Sequence, residues 1–371
     1  MLCNRWATEG LDERMSSQES KTNQELSDQN KQVKKEVKLR SRPLIATIIL
    51  IVGSVALALS LGLSISVGAA DIDFGTVWEG VFQFNPNETA HQIIQELRMP
   101  RALAAALIGA FLAVSGAIMQ GMTRNPLASP SIMGVTDGSA FAIAIAFAFF
   151  PGTSYVGLLM WSFVGAGLGT LLVFAIGSFS KTGLTPVKLA LAGAAVGALL
   201  SSLSSAIAIR FDVAQDISFW YAGGVAGTKW VSIQLIVPVA IVGLILAFIL
   251  ARSVTVLSLG EDVAKGLGQR TVWVKIIGTI VVLLLTGAAV SVAGRVGFIG
   301  LVIPHITRFL VGVDYRWIIP NAAILGGLLL VLADVGARMV NAPFETPVGA
   351  ITAAIGVPFF LYLARREGRG L

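Results

Sequence analysis

Few residues in this chain could do covalent chemistry. It holds two histidines, His91 and His305, and one cysteine, Cys3. The histidines are too few and too isolated for a metal site, and a single cysteine excludes an internal disulfide framework. No paired carboxylates share a helix face. The stretch GGVAGTKW (Gly223–Trp230) is a faint echo of a phosphate loop, but it lacks the Gly-Lys-Ser/Thr ending. The chain therefore has no visible means of hydrolysing a nucleotide. What remains is chemistry by charge, hydrogen bonding and shape.

The polar groups able to do that work are few. Arg98 and Arg101 flank a proline in RMPR (98–101), and Arg338 follows Asp334 by one helical turn, close enough to pair with it. In LGEDVAKGLG (259–268), Glu261, Asp262 and Lys265 form one face of a short helix bracketed by Gly260 and Gly268, with Leu259, Val263 and Leu267 on the other. Gly268 is placed to cap it, because glycine tolerates positive φ. In Arg124-Asn125-Pro126-Leu127 the proline removes a backbone donor and ends a helix. Ser201, Ser202, Ser204 and Ser205 put hydroxyls on two faces of one helix. They suit a wet pathway, or bonds to their own backbone. His305 follows Pro304 at membrane depth, where an ionisable group is a functional candidate or a neutral structural histidine.

These groups sit in an apolar chain. Hydrophobic residues are 55% and charged residues 13%, with mean hydropathy +0.80. A soluble domain carries about 25% charge. A spanning helix needs about 20 apolar residues. Candidates are 43–69, 101–121, 130–150, 154–179, 187–209, 231–251, 272–293, 297–312, 317–338 and 348–364, about ten spans in an all-α polytopic membrane protein. With the N-terminus inside, 18 of the Lys and Arg from Lys31 onward fall on the inner side and six on the outer, which predicts both termini cytoplasmic. The net charge of +6 is then ordinary topology, with no nucleic-acid partner. Residues 1–42, with nine basic and seven acidic side chains, read as a disordered cytoplasmic tail ahead of a permease domain at 43–366 and a short tail at 367–371. The outer segment Asp71–Pro100 predicts one surface helix.

A shift of 178 residues places Leu107, Gly109, Ala110, Val114, Gly116, Pro126, Gly134 and Val135 on identical residues, eight in 29 positions. Five spans separate the copies, so the halves would be inverted, as in many transporters.

Five segments carry a resemblance: RMPR, QGMTRNPLASPSIMGVTDG (120–138), LGEDVAKGLG, GRVGFIGLVIPHITRFLVGVDYR (294–316) and ADVGARMVNAPFETPVGAITAAIGVP (333–358). In this order, over about 43–366, the chain closely resembles the membrane permeases of bacterial ABC importers for iron–siderophores and vitamin B12. The resemblance implies a BtuC-like fold of ten helices with pseudo-symmetric inverted halves. It implies a second permease subunit, identical or not, two ABC ATPase subunits, an extracytoplasmic substrate-binding protein and a ferric siderophore cargo, with no cofactor and no catalytic residue of its own. It carries docking over to Arg98, Arg101 and Arg338. It carries ATPase coupling to Leu259, Gly260, Glu261, Asp262, Ala264, Lys265 and Gly268, and a cytoplasmic gate to Asn125, Pro126 and Leu127 with Thr185 opposite. Ser201 and Ser205 are expected on the pathway. The same machine carrying vitamin B12 or haem is the nearest alternative. An ion-coupled transporter would want intramembrane carboxylates, and only Asp137 and Asp334 are candidates.

Overall fold

The computed structural model describes residues 41–68, 72–178, 186–222, 224–342 and 344–367. Residues 1–40 of the predicted tail (1–42) and the last four residues lie outside them. The described elements are helices α1 (Pro43–Ser66), α2 (Phe74–Phe82), α3 (Thr89–Thr123), α4 (Val135–Phe149), α5 (Tyr155–Ser178), α6 (Pro186–Arg210), α7 (Ala214–Ala222), α8 (Trp230–Ser258), α9 (Glu261–Gly266), α10 (Thr271–Ala293), α11 (Ile299–Val311), α12 (Tyr315–Val340) and α13 (Val348–Glu367). Seven of them (α1, α3, α5, α6, α8, α10 and α12) are long and apolar enough to cross a membrane, and α4, α11 and α13 contain shorter apolar stretches. The chain is a multi-pass membrane protein. The predicted surface helix is α2, and the rest of that segment leads straight into α3.

α3 is the centre of the bundle. Of its most apolar window, 83% is buried within the protein, against 17% for α1. α3 packs on α12 most extensively, then on α10, α8 and α11. Its sequence explains the closeness. A methyl group at Gly109 would strike the Gly326 carbonyl of α12, and one at Gly116 would strike the Gly300 carbonyl of α11. Without a hydrophobic drive between helices in lipid, such backbone approach supplies the packing. Gly138 of α4 meets Gly165 and Gly169 of α5 in the same way.

α3 and α10 run in opposite directions, with Gly278 near the start of α10 against Met122 near the end of α3. The 178-residue register does not hold beyond Gly116. There α3 continues to Thr123, whereas α10 ends before Gly294 and the chain turns through Phe298, which has positive φ, into α11. α4 and α11 have 15 and 13 residues. At about 1.5 Å per residue they are shorter than a bilayer core. Irregular backbone at such depth needs protein cover, and Phe298 finds it against Gly356 of α13.

Candidate functional site

The polar residues collect at two opposite ends of the bundle. The arginine end is built where α1 stops. A helix leaves its last four carbonyls without intrahelical donors, and the guanidinium groups of Arg98 and Arg338 fill that gap. Arg98 Nη1 donates to the carbonyls of Ile65 and Ser66, at 2.6 Å each. Arg338 Nη1 donates to Ser64 O at 3.0 Å and Val67 O at 2.7 Å, and its Nη2 reaches Ser64 Oγ at 2.8 Å. Two cations thus sit on the negative end of the α1 dipole. Arg98, at the end of a widened turn (Ile94–Arg98) just ahead of Pro100, is buried.

Arg101 lies one turn further on and faces α12. Its Nη2 and Nε meet the Asp334 carboxylate at 2.9 and 3.0 Å, a forked pairing, and its Nη1 meets Glu345 Oε1 at 2.5 Å. Asp334 also lies 3.2 Å from Arg338 Nη2 and is 1% exposed, whereas the Glu345 side chain is 49% exposed. The structure brings all three predicted docking arginines together. It also gives each an intrachain partner, including the Arg338–Asp334 contact that the spacing allowed. Within this cluster three cations meet two carboxylates. Sequence reasoning missed Glu345, and it saw Asp334 as a neighbour of Arg338 and as a candidate intramembrane carboxylate, not as the partner of Arg101.

The α9 end is built differently. α8 stops at Ser258, Gly260 takes φ +138°, α9 makes under two turns, and Gly268 at φ +77° closes it. The Gly268 N–H donates to Lys265 O at 2.9 Å and the Gln269 N–H to Ala264 O at 2.9 Å. Gly268 is thus the predicted cap. Ala264 is fully buried, and the Glu261 carboxylate accepts from Lys275 Nζ at 2.7 Å and lies 3.2 Å from Lys265 Nζ. The hydrogen bond from Lys275 is the main reason that its pKa lies below the ordinary carboxylate value. The apolar set Leu259, Val263 and Leu267 faces outward, with Leu267 69% exposed. Asp262 and Lys265 are exposed as well.

Beside α9, α3 ends at Arg124, a non-glycine residue at φ +51°. Asn125 Oδ1 accepts from the Leu127 N–H at 2.9 Å, and Ala128 N donates to Asn125 O at 3.1 Å. Asn125-Pro126-Leu127 is therefore a side-chain-locked turn, with proline at the position whose φ it presets. Thr185, expected opposite, lies outside the described residues. A cleft of about 470 Å³ opens here between Arg124, Pro126, His305, Arg308 and Tyr315. Arg308 Nη2 donates to buried Gln120 Oε1 at 2.6 Å, tying α11 to α3.

The serines of α6 line a second cleft, of about 650 Å³, with Ser201, Ser204 and Ser205 on one wall and Ser218 and Arg295 among the others. Ser204 Oγ and Ser205 Oγ bond back to Leu200 O and Ser201 O, at 2.8 and 3.0 Å, so these two hydroxyls are satisfied by their own helix. Arg295 was read from sequence only as part of a loop charge count, and its place among the serines had no local signal.

The family model of the FecCD transport family matches residues 55–366. The chain is 68% identical over 336 residues to the iron(3+)-hydroxamate import system permease protein FhuB of Bacillus subtilis, covering 91% of this chain and 88% of that one. It is 50% identical to the iron-uptake system permease protein FeuB of the same organism, covering 86% and 96%. A solved structure described as an inward-facing conformation of a metal-chelate type ABC transporter superposes with a TM-score of 0.76 at 31% identity, over 86% of this chain and 99% of that one. The family model spans most of the chain, and the chain belongs to the FecCD transport family.

Proposed function

We propose that this chain is the permease subunit of a binding-protein-dependent ABC importer that moves a ferric hydroxamate siderophore across the cytoplasmic membrane. The observation that carries this reading is the high identity to the iron(3+)-hydroxamate permease, sustained along nine-tenths of the chain. The seven long spans and three shorter apolar helices support ten crossings with both termini inside. The inverted halves are supported by the antiparallel pair α3 and α10.

The polar ends then take roles. At the outer face, Arg101 receives an acidic side chain of the binding protein by exchange with the exposed Glu345, while Arg98 and Arg338 hold the platform rigid. Charge complementarity of this kind orients docking. At the inner face, the outward apolar residues Leu259, Val263 and Leu267 of α9 seat in the ATPase subunit, and Gly260 and Gly268 let α9 move as a unit on α8 and α10. The Asn125–Leu127 turn, with Thr185, forms the inner gate. The serine cleft, with Ser201 and Ser205, lines the pathway between this chain and a second permease subunit. ATP is hydrolysed by the partner ATPase, and the cargo is substrate, not cofactor.

The test is reconstitution with the partner permease, the ATPase and the cognate binding protein, followed by radioiron uptake. ATP-dependent accumulation of iron from a hydroxamate chelate is expected. Uptake of cobalamin or haem, with no hydroxamate-bound iron entering, would overturn the cargo. Uptake driven by an ion gradient without ATP would overturn the mechanism.

A further inference from the structure

α2 divides into three sectors. Asp73 caps its start, accepting from the N–H groups of Gly75 and Thr76. Val77 and Gly80 are buried, packing with Ile65, Ile72 and Ile94 against the end of α1 and the start of α3. Gly75 and Glu79 make a solvent-exposed polar edge. Between these two sectors, at successive four-residue steps, Phe74, Trp78 and Phe82 are 64%, 63% and 65% exposed. The rings of Trp78 and Phe82 lie against each other, with centroids 4.3 Å apart.

Three large aromatic side chains facing outward from a nine-residue helix are not explained by packing within the chain. Their height is informative. α1 has 24 residues, so at about 1.5 Å per residue it is roughly 36 Å long, slightly more than the roughly 30 Å hydrocarbon core. The end of α1 at Ser66, and α2 packed beside it, therefore fall at the membrane–water boundary. The exposed apolar side chains of α1, from Leu44 to Leu63, form a lipid-facing surface that ends next to α2. The aromatic sector continues that surface at the depth where amphipathic helices lie in the plane of the bilayer and aromatic rings settle among headgroups.

We propose that α2 is an in-plane membrane anchor, with Phe74, Trp78 and Phe82 seated among the upper acyl chains of phospholipids at the arginine end of the bundle. Glu79 faces water and the Val77–Gly80 face holds the protein. This anchor fixes the height of the buried arginine platform relative to the lipid surface. It uses lipid rather than another protein as its partner.

The experiment places single spin labels in the full chain, in a Cys3→Ser background, at Phe74→Cys, Trp78→Cys, Phe82→Cys and Glu79→Cys, reconstituted in phosphatidylglycerol–phosphatidylethanolamine vesicles. Collision with oxygen, which concentrates in hydrocarbon, is compared with collision with a water-soluble nickel chelate. The labels at 74, 78 and 82 are expected to meet oxygen and be shielded from the chelate, and the label at 79 to show the reverse. All four sites are on the surface, so folding is not at stake. Equal chelate access at 78, 82 and 79 would overturn the proposal. So would shielding that arises only on addition of the binding protein, which would make this face a protein-docking surface.

Discussion

At the arginine end, Arg98, Arg101 and Arg338 direct their donors inward, onto the carbonyls of Ser64, Ile65, Ser66 and Val67 at the end of α1 and onto the buried Asp334, and three helices are joined through charge. At the α9 end, a short helix is held by one buried alanine and the Lys275 contact to Glu261, while its apolar residues face out between two glycines at positive φ. The first arrangement resists motion, because displacing a guanidinium exposes buried acceptors and an unpaired carboxylate. The second permits it, because surface ion pairs contribute little and glycine turns cost little to bend. One end suits a fixed platform and the other a moving lever.

The contrast is broken most severely at α9. Gly268→Val places a β-branched residue at φ +77°, where an L side chain is strained by about 1–2 kcal/mol, and Glu261→Lys replaces an acceptor by a third cation beside Lys265 and Lys275. Both variants are expected to insert and to bind the binding protein normally, while uptake is abolished and ATP hydrolysis is lowered or uncoupled from it. Uptake and hydrolysis at wild-type values in proteoliposomes would mean that another inner loop carries the coupling.

At the arginine end the effect should appear as stability. Asp334→Asn leaves two partly buried guanidinium groups without their shared charge. Breaking a buried pair costs about 3–5 kcal/mol, so the thermal midpoint of the purified permease should drop sharply and its yield in membranes should fall. An unchanged midpoint would show that the α1 carbonyls and Glu345 alone hold the platform.

Glu345→Gln sharpens the same comparison more gently. It frees Arg101 for an incoming acid without disturbing Asp334. Exposed pairs contribute about 0.2–1 kcal/mol, so binding-protein affinity should rise by about 1.4- to five-fold, more at low salt. A fall in affinity would mean that Glu345 itself contacts the partner.

The smallest effect concerns pH. The pKa of Glu261 is lowered in the folded chain, chiefly by the Lys275 hydrogen bond. Its contribution is therefore fully present above the ordinary carboxylate range and is lost as pH falls through the lowered value. A spin label at Leu267→Cys should loosen slightly on acidification and be loose at every pH in Glu261→Gln. Mobility that ignores both changes would show that Ala264 and the turn, rather than the ion pairs, hold α9.

Much of the architecture was legible in the sequence because the bilayer demands long apolar runs, and such runs have few other uses. The ends of α3 and α9 were legible too, since proline, and glycine at positive φ, act locally. The partners of the arginines were not. Arg101 and Asp334 are 233 positions apart, and the carbonyls that hold Arg98 and Arg338 leave no trace in residue type. The amphipathic pattern of α9 was visible, but its spacing does not say which face meets the protein. That depended on Ala264 and Glu261 facing the bundle. The serines were visible as a cluster, while Arg295 joined them only through folding.

The distance in sequence between Arg101 and Asp334 also sets a timetable. With synthesis at about 5–20 residues per second, the 233 intervening positions delay the carboxylate by on the order of ten to fifty seconds after the arginine has left the ribosome. During that interval α3 is in the membrane without α10, α11 or α12. Arg101 lies just past the widened turn Ile94–Arg98, ahead of the apolar stretch of α3, where a long cationic side chain can reach lipid phosphates. Headgroups thus serve as its provisional counter-ions until α12 arrives, and a membrane poor in anionic lipid should slow maturation of this chain before it alters transport by the finished protein.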